Sequence, residues 1–236
     1  TPNIDRIAKE GMRFDRALVT NSICGPSRAV ILTGKYSHLN GFYNNSNSVF
    51  NGAQTTFPKL LKAAGYQTAL IGKWHLNSDP QGFDYWQILL GQGIYYNPPM
   101  KTAAGVIKTA GYVTDITTDV SMAWVKGRDK SKPFMLMCQQ KAPHREWSPN
   151  LTDLGWDKGR VYPEPATLFD DYKDRAFSVG DQDMSLEKTI SPLDMKLVHP
   201  PGITPEQAKA WDAYYGPVNE AYRKAEPKGR DLVKWR

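Results

Sequence analysis

The chain has 236 residues, 40% of them hydrophobic and 11% aromatic, enough to bury a sizeable core and ordinary for one domain of a globular protein. No stretch approaches the ~18 apolar residues that a membrane-spanning helix needs. Thirty Lys and Arg against 24 Asp and Glu give a formal charge of +6, but the cations are scattered with no Lys/Arg block; no nucleic-acid partner is expected, and an acidic substrate or a basic surface of no consequence both fit, the second being the default.

In chain order, Ile4, Ile7 and Ala8 recur at helical spacing over residues 2–10 and stop at Gly11, after which 12–19 reads as a strand. The run Cys24-Gly25-Pro26-Ser27-Arg28-Ala29-Val30-Ile31-Leu32-Thr33-Gly34 reads as a helix, with Pro26 suited to its first turn and Gly34 to its C-terminal cap. A residue at the start of that helix meets free backbone N–H groups and the positive end of the dipole, which favours an anionic ligand. Thr56 and Pro58 open a second helix with Leu60, Leu61 and Ala64 on one face; Gly65 closes it and 66–71 is a buried strand. Residues 78–99, with Phe83, Tyr85, Trp86, Tyr95 and Tyr96 among Gly and Pro, are too irregular for a periodic helix and read either as loop packing or as an aromatic wall for a sugar ring. Residues 115–125 form an amphipathic helix with Ile116, Val120, Ala123 and Trp124 inward, followed by a strand over 134–139. Cys138, among Phe134, Met135, Leu136 and Met137, reads as a buried core thiol, and no disulfide to Cys24 is expected. Asp170-Asp171, after a Pro-rich stretch and no apolar strand, reads as a solvated loop or helix start, and His199 as a solvated histidine. Two helix-then-strand units imply crossover connections, so the fold class is α/β, with a largely parallel or mixed central sheet sandwiched by helices.

Open α/β sheets place their ligand sites beyond the carboxyl ends of the strands. Strand 66–71 runs into Gly72-Lys73-Trp74-His75-Leu76, and strand 134–139 into Gln140-Lys141-Ala142-Pro143-His144. A single loop histidine is usually a surface or capping residue. Two at equivalent strand ends, within reach of the helix that begins at Cys24, mark a candidate site.

The pattern Cys24-x-Pro26-x-Arg28, with Leu32-Thr33-Gly34 at its offset, resembles the nucleophile signature of the type I, formylglycine-dependent sulfatases of the alkaline-phosphatase-like superfamily. Gly72 to Leu76 and Lys141 to His144 resemble two further segments of that family, and residues 1–6, 65–66, 79–86, 111–115, 132–134, 169–172 and 214–217 are similar to bacterial sulfatases, especially the N-acetylglucosamine-6-sulfatase-like branch. The resemblance implies that a formylglycine-generating maturation enzyme oxidises Cys24 to Cα-formylglycine, whose hydrated aldehyde attacks sulfur. It implies that Arg28 orients position 24 near the metal and that Lys73 charges the sulfate oxygens. His75 then hydrogen-bonds a hydroxyl of position 24 and takes its proton, while His144 binds the bridging side of the sulfate and acts as general acid. Lys141 is a further substrate contact, and His38 ties its own loop. One Ca2+ is implied, with position 24 among its ligands and its carboxylates outside these residues. The 236 residues are then the N-terminal part of a single catalytic domain, without the first strand that carries the metal aspartates and without the C-terminal half. The isolated piece is expected to be inactive, and the complete protein to be exported, as a periplasmic or a secreted or lysosomal-type enzyme. The expected reaction is removal of sulfate from a sulfated glycan, foremost 6-O-sulfated N-acetylglucosamine. An arylsulfatase, a phosphonate or phosphate ester hydrolase of the same superfamily, and a non-catalytic fragment are the alternatives.

Overall fold

The run Thr68-Ala69-Leu70-Ile71 has almost nothing polar to offer water and is buried on both faces, at the heart of a five-stranded sheet, in the computed structural model, which describes residues 1–236. Four helices precede it: α1 (Pro2–Glu10), α2 (Cys24–Thr33), α3 (Ser37–Asn40) and α4 (Phe57–Ala63). Then come β1 (Gln67–Lys73), β2 (Tyr85–Leu89), β3 (Pro99–Thr102), β4 (Gly105–Lys108), α5 (Val113–Gly127) and β5 (Phe134–Gln139). The remainder holds a 3-10 turn at Leu151–Asp153, the short helices α6 (Phe177–Gly180) and α7 (Leu186–Thr189), the long α8 (Pro205–Ala225) and a terminal α9 (Gly229–Trp235). The strand order is β4-β3-β2-β1-β5. β1 pairs in parallel with β2 and β5, with Ala69 opposite Tyr85 and Leu136, whereas β2, β3 and β4 form an antiparallel meander. The expected α/β class holds, and the sheet is mixed because the β3–β4 hairpin adds an antiparallel wing.

One core lies beneath α2, where Ala29 and Leu32 pack with Leu70, Trp74, Leu76 and Ile88. A second gathers Leu89, Tyr95, Tyr96 and Met100 under Val113 and Ile116 of α5 and Trp211 of α8. Adjacent residues Ile88 and Leu89 serve opposite cores, as the period-2 geometry of a strand requires. α8 starts on a capping box in which the Thr204 hydroxyl accepts from the Gln207 amide and the Gln207 side chain accepts in return from the Thr204 N–H, with Pro205 in the first turn.

Four expectations need correction. Residues 12–19 form no strand and are all exposed, Leu18 by 94%, because no strand lies beside them to take their backbone hydrogen bonds. The inward residues of α4 are Phe57 and Pro58, while Leu60 and Ala64 face outward from a helix of seven residues. α5 begins two residues earlier than the periodicity suggests, so Val113, Ile116, Thr117 and Ser121 are its buried face and Ala123 is exposed. Cys138 is exposed, since β5 is the sheet edge and only the Ser121 and Gln140 side chains reach its sulfur. Within 78–99 the packing alternative holds for Phe83, Tyr95 and Tyr96, all buried, and the segment also contains β2.

Candidate active site

The first turn of α2 has an apolar N-cap, Ile23, and no capping side chain. The Gly25 N–H instead donates to Asn45 Oδ1 at 2.9 Å, and Asn45 Nδ2 donates to Cys24 Sγ at 3.3 Å. This arrangement demands glycine at 25, because a Cβ there would stand 2.7 Å from Asn45 Oδ1 and 2.6 Å from the Phe42 ring. Gln92 Nε2, from the loop after β2, lies 3.8 Å from the same sulfur. Burial alone would push the thiol pKa up, but donation from Asn45 and Gln92 and the charge of Lys73 outweigh it, and Cys24 sits below the ordinary thiol value.

Arg28, one turn further along α2, donates to the Lys73 carbonyl at 2.7 Å and to Gln139 Oε1 at 2.5 Å. A single guanidinium nitrogen, Nη1, donating to both strand ends locks α2 over the carboxyl edge of β1 and β5. Lys73 closes β1 and is only 3% exposed; burial lowers its pKa, Cys24 opposes that, and the charges of Arg28 and Lys141 add to it. Lys141 is buried with its ammonium 4.6 Å from the centre of the Tyr95 ring and 3.5 Å from the Gln92 carbonyl, so it points inward toward the Cys24 side. His75 adopts a left-handed backbone (φ +55°). Burial first, then the charges of Lys73, Arg28 and His144, hold its pKa below the ordinary histidine value, which keeps it neutral near neutral pH. Its Nδ1 is buried without a partner. His144 Nδ1 lies 2.6 Å from the Arg145 carbonyl oxygen. A carbonyl only accepts, so Nδ1 carries a proton and Nε2 is left for chemistry. The loop around His144 is pinned by phenols: Tyr95 Oη donates to the His144 carbonyl, Tyr96 Oη to that of Pro149, and Tyr112 Oη to that of Ser148 at 2.8 Å.

Cys24, Arg28, Lys73, His75, Lys141 and His144 are thus gathered at one end of the parallel strands. His38 is not among them. It is exposed, stacked on Tyr36, and the loop it was expected to tie is held by Asn40, which donates to the Lys35 carbonyl at 2.9 Å and accepts from the Phe42 N–H at 2.8 Å. His199 is exposed and pairs with Asp212, and Asp170 pairs with Arg175 in an irregular stretch. Asn45, Gln92 and Gln139 were missed by sequence reasoning; the polar run Asn44 to Asn47 and the Gly91-Gln92-Gly93 triplet were the available signals. A cavity of about 190 Å3 opens beside His75, between the loops after β1 and β2, with Asn77, Asp79 and Lys101 in its wall.

The side chains around Cys24 are amide donors and cations. Those donors suit the oxygens that formylglycine would put in place of sulfur. They do not suit calcium, a hard cation that takes six to eight oxygen ligands, and no group of three or more His, Cys, Asp or Glu in the chain could hold a metal. No helix is long and apolar enough to cross a membrane.

Residues 1–197 match the sulfatase family model. The chain is 48% identical, over 255 aligned positions, to the N-acetylglucosamine-6-O-sulfatase of Bacteroides thetaiotaomicron, covering 100% of this chain and 46% of that protein. It is 33% identical over 166 residues to the N-acetylglucosamine-6-sulfatase of Capra hircus, covering 60% of this chain and 30% of the relative. A solved structure in complex with its substrate D-glucosamine-2-N,6-O-disulfate superimposes with a TM-score of 0.93 at 48% identity, over all of this chain and 51% of that one. The chain therefore spans about half the length of the bacterial relative and less than a third of the Capra hircus one.

Proposed function

Because the chain belongs to the sulfatase family, we propose that the protein it is part of is a sulfuric-ester hydrolase that removes the 6-O-sulfate of N-acetylglucosamine units in a sulfated glycan. The observation that carries the reading is the convergence of two buried lysines, two strand-end histidines and Cys24 at the start of α2. The 48% identity to a bacterial N-acetylglucosamine-6-O-sulfatase supports the choice of sugar.

Position 24, matured to formylglycine, supplies on hydration an oxygen nucleophile for in-line attack on sulfur. Asn45 and Gln92 orient that side chain with their N–H groups. Lys73 and Lys141 bind the sulfate oxygens; preorganised cations in a buried site stabilise developing charge more than water does. His144, anchored through Nδ1, acts in its doubly protonated imidazolium form and gives the Nε2 proton to the leaving sugar oxygen as its bond to sulfur breaks, keeping the Nδ1 proton on the Arg145 carbonyl. His75, held neutral, accepts the proton of the position-24 hydroxyl as sulfate departs. Arg28 acts through geometry, holding α2 against β1 and β5.

For the whole protein we assign these residues to the N-terminal part of one catalytic domain, with one Ca2+ whose carboxylates lie outside them; no step above passes through the ion. Export from the cytoplasm belongs to the same reading, and a full-length gene product lacking any apolar leader would contradict it. The test of substrate is a panel of mono-sulfated sugars, an aryl sulfate and a phosphate monoester offered to the full-length, matured enzyme. Preference for 6-O-sulfated N-acetylglucosamine is expected. Preference for a 2-O-sulfated uronic acid, the aryl ester or the phosphate would overturn the assignment.

A further inference from the structure

The loop that carries His144 is gripped by an ionic cluster, built on the buried carboxylate of Asp194, that takes no part in the proposed chemistry. Arg145 follows His144 directly, and its guanidinium engages the Asp194 carboxylate through both Nη2 and, at 3.2 Å, Nε, while Nη2 also donates to the Thr189 carbonyl at 2.8 Å. The Asp194 side chain is 1% exposed and accepts in addition from the Ser191 amide at 2.8 Å and the Ser191 hydroxyl at 2.7 Å. Lys196, buried beside it, donates to the Glu146 carbonyl at 2.5 Å and the Asp194 carbonyl at 2.6 Å, and its own carbonyl accepts from Asn219 of α8 at 2.8 Å. Residues 145 and 146 are therefore tied to the segment 189–196 and through it to α8.

The link to chemistry is the Arg145 carbonyl, the same group that fixes His144 Nδ1 at 2.6 Å. We propose that Arg145, Asp194 and Lys196 are positioning residues, a clamp that sets the direction in which His144 Nε2 faces the leaving-group oxygen; the inference rests on the reading of His144 as the acid. A paired guanidinium fork fixes orientation as well as distance. With four donor contacts on one buried carboxylate the anchor has little freedom to drift. An imidazole displaced by about 1 Å would still bind sulfate but would deliver its proton poorly, at a cost on the order of 100-fold.

The experiment uses the full-length, matured enzyme with 6-sulfated N-acetylglucosamine and an activated aryl sulfate. Asp194→Asn should lower kcat on the sugar about 10- to 100-fold, with KM and the aryl rate changed by less than about threefold. Arg145→Lys, which keeps the charge but not the paired fork, should recover only a minor part of what Arg145→Ala loses, and the Arg145→Ala, Asp194→Asn double variant should be no worse than the poorer single. Should Arg145→Ala fail to fold, Asp194→Asn decides alone. Equal losses on the two substrates, or a loss confined to KM, overturns the clamp when His144→Ala discriminates between those substrates. If His144→Ala itself affects both alike, the acid reading fails, and a crystal structure of Asp194→Asn settles the clamp: a displaced His144 ring upholds it and an unmoved ring rejects it.

Discussion

At position 24 the functional question is which atom the side chain carries. Pro26 and Arg28 supply the maturation pattern, so mass spectrometry of the peptide spanning residues 21–28 from a host with the maturation system should find formylglycine, lighter than cysteine. An alkylatable thiol in active enzyme would sink the mechanism. Cys24→Ala should abolish turnover while shifting stability by less than about 1 kcal/mol, since the side chain is only partly buried. Its neighbour is more sensitive structurally. Gly25→Ala places a methyl against Asn45 Oδ1 and Phe42, breaks the Asn45 bridge and should cost roughly 1–3 kcal/mol in urea denaturation while lowering kcat. Across the site, His144→Ala should hurt a sugar sulfate about a hundred- to ten-thousand-fold and an activated phenol ester much less. Lys73→Ala should hurt both alike, because binding sulfate oxygens does not depend on the leaving group. Equal losses for His144→Ala would leave it as a sulfate binder.

Among elements, the decisive contact is that of β1 with β5, because together they present Lys73 and Lys141 and receive Arg28. At Gly72 the chain needs both a positive φ (+102°) and the absence of a side chain: a Cβ would stand 2.0 Å from the Gln139 carbonyl oxygen. Gly72→Ala must part the strands and should cost more than about 4 kcal/mol. Gly34, at the end of α2, also has a positive φ (+65°), but a methyl added there would meet nothing within 4 Å. Gly34→Ala should therefore cost only about 1 kcal/mol, from backbone strain alone. Similar losses for the two variants, measured by thermal denaturation, would show that strain and not strand contact matters at Gly72. The helix-then-strand units were legible because periodicity and capping are local. β2 was not legible, since its Trp86 and Ile88 face one core and its Gln87 and Leu89 the other, and a strand buried on both faces shows no alternation.

For the whole molecule, the long tie from Arg145 to Asp194 makes stability depend on pH. Burial would raise the Asp194 pKa, but Arg145 and the two Ser191 donors outweigh it and hold it at about 2. A carboxyl depressed below its unfolded value of about 3.9 contributes its full stabilisation above that pH and loses it as pH falls toward 2. The contribution is on the order of 2 kcal/mol, so the stabilities of the wild type and Asp194→Asn should converge between pH 4 and pH 2 in urea titrations. A gap that stays constant over that range would contradict the assignment. What the amino-acid order determined by itself was contiguous: the run from Cys24 to Arg28, the segments ending in His75 and His144, the α/β alternation and the family they imply. Tertiary structure decided what spans distance: the contacts of Cys24 with Asn45 and Gln92, 21 and 68 residues away, and the inward direction of Lys141. It also decided the pairing of Arg145 with Asp194 across 49 residues, the exposure of Cys138 and the absence of a strand at 12–19. The division is physical, because a helix start or a signature is encoded within a turn or two, whereas strand partners, burial and the donors around a side chain depend on segments that meet only when the chain has folded.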